Sequence, residues 1–145
     1  MSRNAWSGEN GLQKSVIDFC RVAIRRPDRF WWVPNGNNLS KAQAGMSKAM
    51  GLTAGVSDLH FAWATGSQRQ FPCFGTIELK WGKNTETAEQ EAFGADLVAL
   101  GHTYRACWTI DEVVSTLTEW GVPLHASLGH QGIVLSGAAA RIKRG

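Results

Sequence analysis

The sequence predicts an α/β protein with one domain, in which helices flank a central mixed β-sheet. Hydrophobic residues make up 43% of the 145 residues, which suffices for one real core at this length. Segments with helical spacing alternate with short segments rich in aromatic and β-branched residues, a pattern typical of α/β proteins. A short loop at residues 65–72 separates two predicted strands and indicates an antiparallel hairpin within the sheet.

The first half of the chain predicts a helix, a strand and a second helix, over residues 9–25, 29–34 and 40–50. Leu12, Val16 and Phe19 recur at helical spacing and give the first helix its apolar stripe. Trp31 and Trp32 are neighbours on the predicted strand, so their side chains leave it on opposite faces. We expect one indole in the core and the other at an interface or against nucleic acid.

The second half predicts two strands, a helix, a third strand and a last helix, beginning near Asp58, Phe74, Thr87, Thr103 and Thr109. Each of the two helices opens with a capping box, Thr-x-x-Gln in one and Thr-x-x-Glu in the other. Residues 1–125 form the predicted domain. Residues 126–145 are a Gly-, Ala- and Ser-rich basic tail that we expect outside the core.

Charge is divided unevenly along the chain, although the net charge is only +3. Residues 1–83 carry 11 Lys and Arg against 5 acids, whereas residues 84–125 carry one Arg against 7 acids. A polyanion would therefore meet the first half of the molecule. Solvated faces can show the same asymmetry, so it indicates nucleic-acid binding only together with a motif.

Cysteine usage and the N-terminal sequence indicate a soluble protein of the cytoplasm. The three cysteines are widely spaced and form no C-x-x-C pair, which argues against disulfides and a zinc site. Neither a signal-peptide pattern nor an apolar run of about 20 residues is visible. We expect no membrane association.

The two central strands carry the residues with chemical potential. Glu78 and Lys80 lie two apart on one strand and share a face, and Asp58 begins the neighbouring strand. Two converging carboxylates bind Mg²⁺ or Mn²⁺ well, and an adjacent ammonium stabilises developing negative charge. Phosphodiester hydrolysis needs this combination, although an isolated E-x-K on a strand is more often a solvated ion pair.

The wider context of these residues resembles the VRR-NUC family, the virus-type replication-repair members of the PD-(D/E)XK nuclease superfamily. The resemblance covers about residues 9–120, in the family's order and spacing. It depends on five segments: Pro34-Asn35-Gly36, Lys48-x-x-Gly51-x-x-x-Gly55-Val56-Ser57-Asp58-Leu59, Ile77-Glu78-Leu79-Lys80, Thr87-x-x-Gln90 and Leu97-x-x-x-Gly101. One departure is Ser57, where the family often has proline. The resemblance implies the PD-(D/E)XK (restriction-endonuclease-like) fold and a metal-dependent endonuclease.

The resemblance also implies roles for individual residues. Asp58 and Glu78 would bind the metal, with Glu9 of the first helix reaching the same site, and Lys80 would be the catalytic lysine. Gln90 matches the family's glutamine after the E-x-K strand. It has two interpretations from the sequence, because it can cap its helix at Thr87 or face the site.

The partner implied by the resemblance is branched or junction DNA, cleaved with Mg²⁺ or Mn²⁺ by a homodimer in a bacterial or phage-infected cell. Four candidate phosphate contacts are Asn35, Lys41, Lys48 and Lys83. Two alternatives are a catalytically inactive DNA-binding module of the same fold, and a flap-type or sequence-specific nuclease.

Overall fold

The computed structural model describes residues 7–34 and 40–136 and contains an α/β domain with a mixed sheet, as predicted. Its helices are α1 (Gly8–Ala23), α2 (Lys41–Ala49), α3 (Ala88–Ala99) and α4 (Ile110–Glu119). Its strands are β1 (Arg29–Trp32), β2 (Leu59–Thr65), β3 (Phe71–Leu79), β4 (Thr103–Cys107), β5 (Ala126–Gly129) and β6 (Gly132–Leu135). Up to α4, their order is the order that the sequence predicts.

Strands β1 to β4 lie side by side in chain order. The β1–β2 and β2–β3 pairs are antiparallel, which confirms the predicted hairpin, and β4 runs parallel to β3. A parallel neighbour needs a crossover connection, and α3 provides it. Leu59 pairs with Ile77, so the residues just before Leu59 and just after Ile77 meet at one end of the hairpin.

The core lies between one face of this sheet and helices α1 and α4. Alternate residues of β2 and β3 point into it, among them Leu59, Phe61 and Ile77, which are fully buried. The predicted stripe of α1 packs there too, with Val16 and Phe19 fully buried. Because these residues point into the core, the polar residues between them on β2 and β3 point to the other face of the sheet.

The opposite face of the sheet is partly covered by α3. Gly94 allows this close approach, because a Cβ added there would lie 2.3 Å from the Tyr104 ring of β4. The capping box of Thr87 and Gln90 opens α3, as predicted. Packing on β4 therefore holds the beginning of α3 near the polar ends of β2 and β3.

The expectation that residues 126–145 lie outside the core is wrong for residues 126–136. They form the antiparallel β5–β6 hairpin, with Ala126 buried and with Leu128 and Leu135 packed against the core. The His125 N–H donates to the Ala23 carbonyl at the end of α1 and anchors the hairpin. Residues 137–145, with the basic end of the tail, lie outside the described residues.

The exposure of three tryptophans also departs from the sequence-based expectation. Trp31 and Trp32 are 42% and 50% exposed, so neither is in the core. Both lie on β1, an edge strand, where each face of the sheet is incompletely covered. The two-residue period of a strand also puts Trp81 on the apolar face of Ile77, but β3 ends at Leu79 and Trp81 is exposed.

Helix α2 has no buried residue. Its ends are nevertheless well defined, because Ser40 and Gln43 form a capping box. Among the residues that the structure describes, no helix is long and apolar enough to cross a membrane.

Candidate active site

The pairing register brings Asp58 and Glu78 together. Leu59 of β2 opposes Ile77 of β3, so Asp58 and Glu78 are the next positions at the end of the hairpin. The Leu79 N–H donates to Asp58 Oδ2 over 2.8 Å, which fixes the Asp58 carboxylate against β3. Both residues are buried, at 6% and 2% exposure. The pairing register therefore makes Asp58 and Glu78 cross-strand neighbours at one end of the hairpin.

Glu78 is held in an environment that disfavours its charge. Burial, followed by the nearby Asp58 charge, raises the pKa of Glu78 to about 7 against the lowering effect of Lys80. Its Oε2 atom is buried and has no hydrogen-bond partner. A buried carboxylate oxygen without a donor is costly and is typical of a site that receives a cation or a proton.

Lys80 lies on the same side of the strand as Glu78, as the two-residue period predicts. The Lys80 ammonium is 3.5 Å from Glu78 Oε1 and is only 12% exposed. It also donates to Gln90 Oε1 over 2.7 Å. The Lys80 backbone N–H donates to the Cys107 carbonyl of β4, so the lysine projects from paired backbone.

Gln90 satisfies both of the interpretations that the sequence left open. Its Oε1 accepts from the Thr87 N–H as half of the capping box and accepts from Lys80 as well. Its Nε2 donates to Glu78 Oε1 over 2.5 Å. One amide therefore couples the start of α3 to the glutamate and the lysine, and it fixes their relative positions.

Three further residues support the site, and the sequence did not assign them this role. The Ser57 hydroxyl lies 2.8 Å from the Thr76 hydroxyl, and both side chains are fully buried. This hydrogen bond connects the residue before Asp58 to β3. Ser57 is the position at which the VRR-NUC family often has proline. Gly55 has a φ of +83°, and a Cβ added there would lie 2.2 Å from the Glu89 carbonyl oxygen. Only glycine allows this loop to lie against α3.

An open cavity of about 620 Å³ lies in front of Glu78, Lys80 and Gln90, and Asp58 is buried behind its wall without lining it. Its walls come from the start of α1, the end of β1, the loop after α2, the end of β3 and the start of α3. The lining residues are Glu9, Val33, Pro34, Gly51, Leu52, Thr53, Ala54, Gly55, Val56, Glu78, Lys80, Thr87, Glu89 and Gln90. The cavity gives a ligand access to Glu78 and Lys80 from solvent.

Glu9 lines the cavity from the first turn of α1. It is exposed, whereas Asp58 and Glu78 are buried. Within residues 7–34 and 40–136, no three His, Cys, Asp or Glu side chains converge closely enough to hold a metal ion. The described structure thus contains a carboxylate pair, with Glu9 and Glu89 as acids on the cavity wall.

Three of the four predicted phosphate contacts are described by the structure, and they lie outside the cavity lining. Lys41 and Lys48 are exposed on α2, and Lys83 is exposed in the turn that follows β3. None of the three lines the cavity. Asn35 lies outside the described residues.

The residues present fit a divalent cation with oxygen ligands. Asp58 and Glu78 offer hard carboxylate oxygens, and the unpartnered Oε2 of Glu78 is a ready ligand. Mg²⁺ commonly uses one or two protein carboxylates and keeps several waters, so a pair is sufficient. Comparisons with protein-family models, with curated proteins and with solved structures find no match for this chain.

Proposed function

We propose that this chain is a metal-dependent nuclease that hydrolyses phosphodiester bonds in DNA. The proposal includes the PD-(D/E)XK fold and membership of the VRR-NUC family, both from the motif resemblance. The mixed sheet supports the fold assignment, since Asp58 immediately precedes β2, Glu78 lies near the end of the adjacent antiparallel β3, and Lys80 follows two residues later.

One observation carries the proposal. Glu78 is almost completely buried beside a second carboxylate, yet its Oε2 has no hydrogen-bond donor, within reach of a lysine ammonium. An ordinary structural ion pair would be exposed or would satisfy all of its polar atoms. Asp58 and Glu78 would hold a divalent cation, which would offset the repulsion of their charges and give Glu78 Oε2 a partner.

The roles of the chain's own residues follow from their contacts. Asp58 and Glu78 hold the cation, which when bound supplies a more acidic water and a polarised phosphoryl oxygen. Lys80 places its positive charge where the phosphate acquires additional negative charge during attack. Gln90 fixes the positions of the Lys80 and Glu78 side chains relative to each other through its two hydrogen bonds. This amide is a positioning residue, since it keeps the reacting groups aligned.

Branched DNA is the proposed substrate class, Mg²⁺ or Mn²⁺ the proposed metal, and a homodimer the proposed assembly. Support for the substrate comes from the motif resemblance and from the open cavity, which admits a backbone from solvent. Lys41, Lys48 and Lys83 are proposed as phosphate contacts outside the cavity lining.

A cleavage assay on a labelled panel tests the proposal. The substrates are a four-way junction, a 5′ flap, a single strand and a plain duplex, each with Mg²⁺, with Mn²⁺ and with EDTA. The parent is compared with Glu78→Ala and with Glu91→Ala, an exposed acid on α3 that does not line the cavity. Sedimentation of the parent reports its oligomeric state.

We expect metal-dependent cleavage by the parent and by Glu91→Ala, with none by Glu78→Ala. Paired nicks across the junction by a dimer would identify a junction-resolving enzyme, and cleavage of the flap alone would identify a flap nuclease. Binding of DNA without cleavage of any substrate would reject the proposal in favour of a catalytically inactive binding module.

A further inference from the structure

Four rings form a continuous row across the sheet. Trp31 of β1 lies 5.7 Å from the ring of His60 on β2 and 6.2 Å from Phe74 on β3, between ring centroids. His60 and Phe74 are 5.7 Å apart, and Phe74 is 5.5 Å from His102, just before β4. The row thus extends from the edge of the sheet to its far side.

The row lies on the same face of the sheet as the carboxylate pair. His60 is two residues after Asp58, and residues two apart on a strand share a face. Trp31 is two residues before Val33, which lines the cavity and whose N–H donates to the Asp58 carbonyl. Two residues of strand span about 7 Å. Because His60 is two residues from Asp58, the row passes within about 7 Å of Asp58, measured along β2.

The edge of the row is open to solvent. Trp31 is 42% exposed, and β1 has no neighbouring strand on its outer side among the described residues. Arg29 is exposed and shares the face of Trp31, two residues away on β1. A phosphate bound near Arg29 would place its base over the Trp31 ring. Arg29 is thus a positive charge at the exposed edge of the row, where it could contact a phosphate.

We propose that this row of Trp31, His60, Phe74 and His102 binds unpaired nucleotides of a nucleic-acid strand by stacking. This inference rests on the proposed function, because the bound strand is taken to lead into the Asp58–Glu78 site. Aromatic rings that follow a backbone groove are the usual means of holding single strands without sequence preference. The substrate class it names is DNA with unpaired nucleotides next to the bond that is cut.

The occupant is an unpaired strand because of what the rings offer. Bases in a duplex present only their edges in the grooves, and those edges are read by hydrogen bonds. Trp31 and His102, the two ends of the row, expose ring surface to solvent, and only an unpaired base can place its own face against such a ring. The protein should therefore bind an unpaired strand with higher affinity than a duplex.

Fluorescence anisotropy of a labelled oligothymidine of roughly 12 nucleotides, a length within the range that stacking grooves bind, tests the inference. It is carried out in EDTA, so that no cleavage occurs, beside a blunt duplex of equal length. Trp31→Ala is the test variant, and Trp32→Ala is the matched control, since Trp32 is the adjacent, similarly exposed indole on the opposite face. His102→Ala removes the far end of the row and provides a second variant, because His102 is exposed.

We expect Trp31→Ala to weaken oligothymidine binding about 5- to 150-fold, the equivalent of about 1 to 3 kcal/mol per stacked base. His102→Ala should weaken it in the same direction, and Trp32→Ala should stay within about twofold. The slope of log Kd against log salt should be unchanged in Trp31→Ala, because no phosphate contact is lost.

Parental binding by both Trp31→Ala and His102→Ala overturns the inference, as does an equal loss in Trp32→Ala. A parent that prefers the duplex also overturns it. The inference is also overturned if Trp31→Ala weakens dimer formation without weakening DNA binding, because the row would then be buried between two copies of the chain. If only the stacking inference is wrong, the parent still cleaves DNA with metal. If only the proposed function is wrong, oligothymidine binding still depends on Trp31 but no DNA is cleaved.

Discussion

Replacement of Glu78 by glutamine should make the metal-free protein more stable at high pH. In the parent, burial and the Asp58 charge raise the pKa of Glu78 from 4.5 to about 7. Glutamine keeps the shape of the side chain and an oxygen that accepts from Gln90, but it carries no charge. The substitution therefore removes the cost of ionising a buried carboxyl group and retains the packing around it.

The size and sign of the effect follow from the same pKa. Between pH 4.5 and pH 7 the folded state binds more protons at Glu78 than the unfolded state, so stability falls as pH rises. A pKa of about 7 against 4.5 corresponds to about 3 kcal/mol, which the parent has below pH 4.5 and loses as pH passes 7. Glu78→Gln lacks this loss, so the two proteins should diverge by up to about 3 kcal/mol at pH 8.

Urea unfolding followed by tryptophan fluorescence, in EDTA at pH 5 and pH 8, measures this divergence. Glu91→Gln is the control, because Glu91 is exposed and its charge should contribute little. Mg²⁺ at pH 8 should restore stability to the parent and not to Glu78→Gln, since a ligand of the folded state alone stabilises it. Equal pH dependence of the parent and Glu78→Gln would refute the reasoning.

Two further predictions concern the supports of the site. Gln43→Ala removes only a capping-box glutamine and should cost about 1 kcal/mol of unfolding free energy. Gln90→Ala should cost more, because Gln90 also bonds the buried Glu78 and Lys80. Only Gln90→Ala should also lower the cleavage rate, by about tenfold or more, and equal rates would contradict its positioning role. Gly55→Ala should destabilise by at least about 2 kcal/mol more than Gly101→Ala in thermal unfolding. The two glycines have φ values of +83° and +85°, but only at Gly55 would a Cβ meet the Glu89 carbonyl. Equal melting temperatures would show that the loop and α3 do not pack as described.

The elements and the core of the site could be predicted because they depend on local periodicity. Two-residue alternation puts Leu59 and Ile77 on one face of the sheet and leaves Asp58 and Glu78 on the other, whatever packs around them. A short loop then fixes β2 and β3 as a hairpin and the register brings the carboxylates together. Lys80 follows from the same alternation.

The features that could not be predicted depend on tertiary neighbours. Residues 126–136 lack a strong apolar alternation. They form strands because Leu128 and Leu135 pack against the core. Nothing in the sequence says that β1 is an edge strand, so the exposure of Trp31 and Trp32 was not foreseen. Gln90 contacts both Glu78 and Lys80 only because α3 packs on β4. Both of its interpretations were open from the sequence, and their combination needed the structure.

Single-turnover cleavage by Lys80→Ala, measured with DNA binding in EDTA, tests the central claim most directly. The claim is that Lys80 acts on the reacting phosphate beside the Asp58–Glu78 pair. We predict a loss of at least about 100-fold in the cleavage rate with Mg²⁺, the usual cost of removing one charge-stabilising group. DNA affinity should stay within about twofold, because Lys80 is 12% exposed and paired with Glu78 and Gln90. Cleavage by Lys80→Ala at the parental rate would contradict the account.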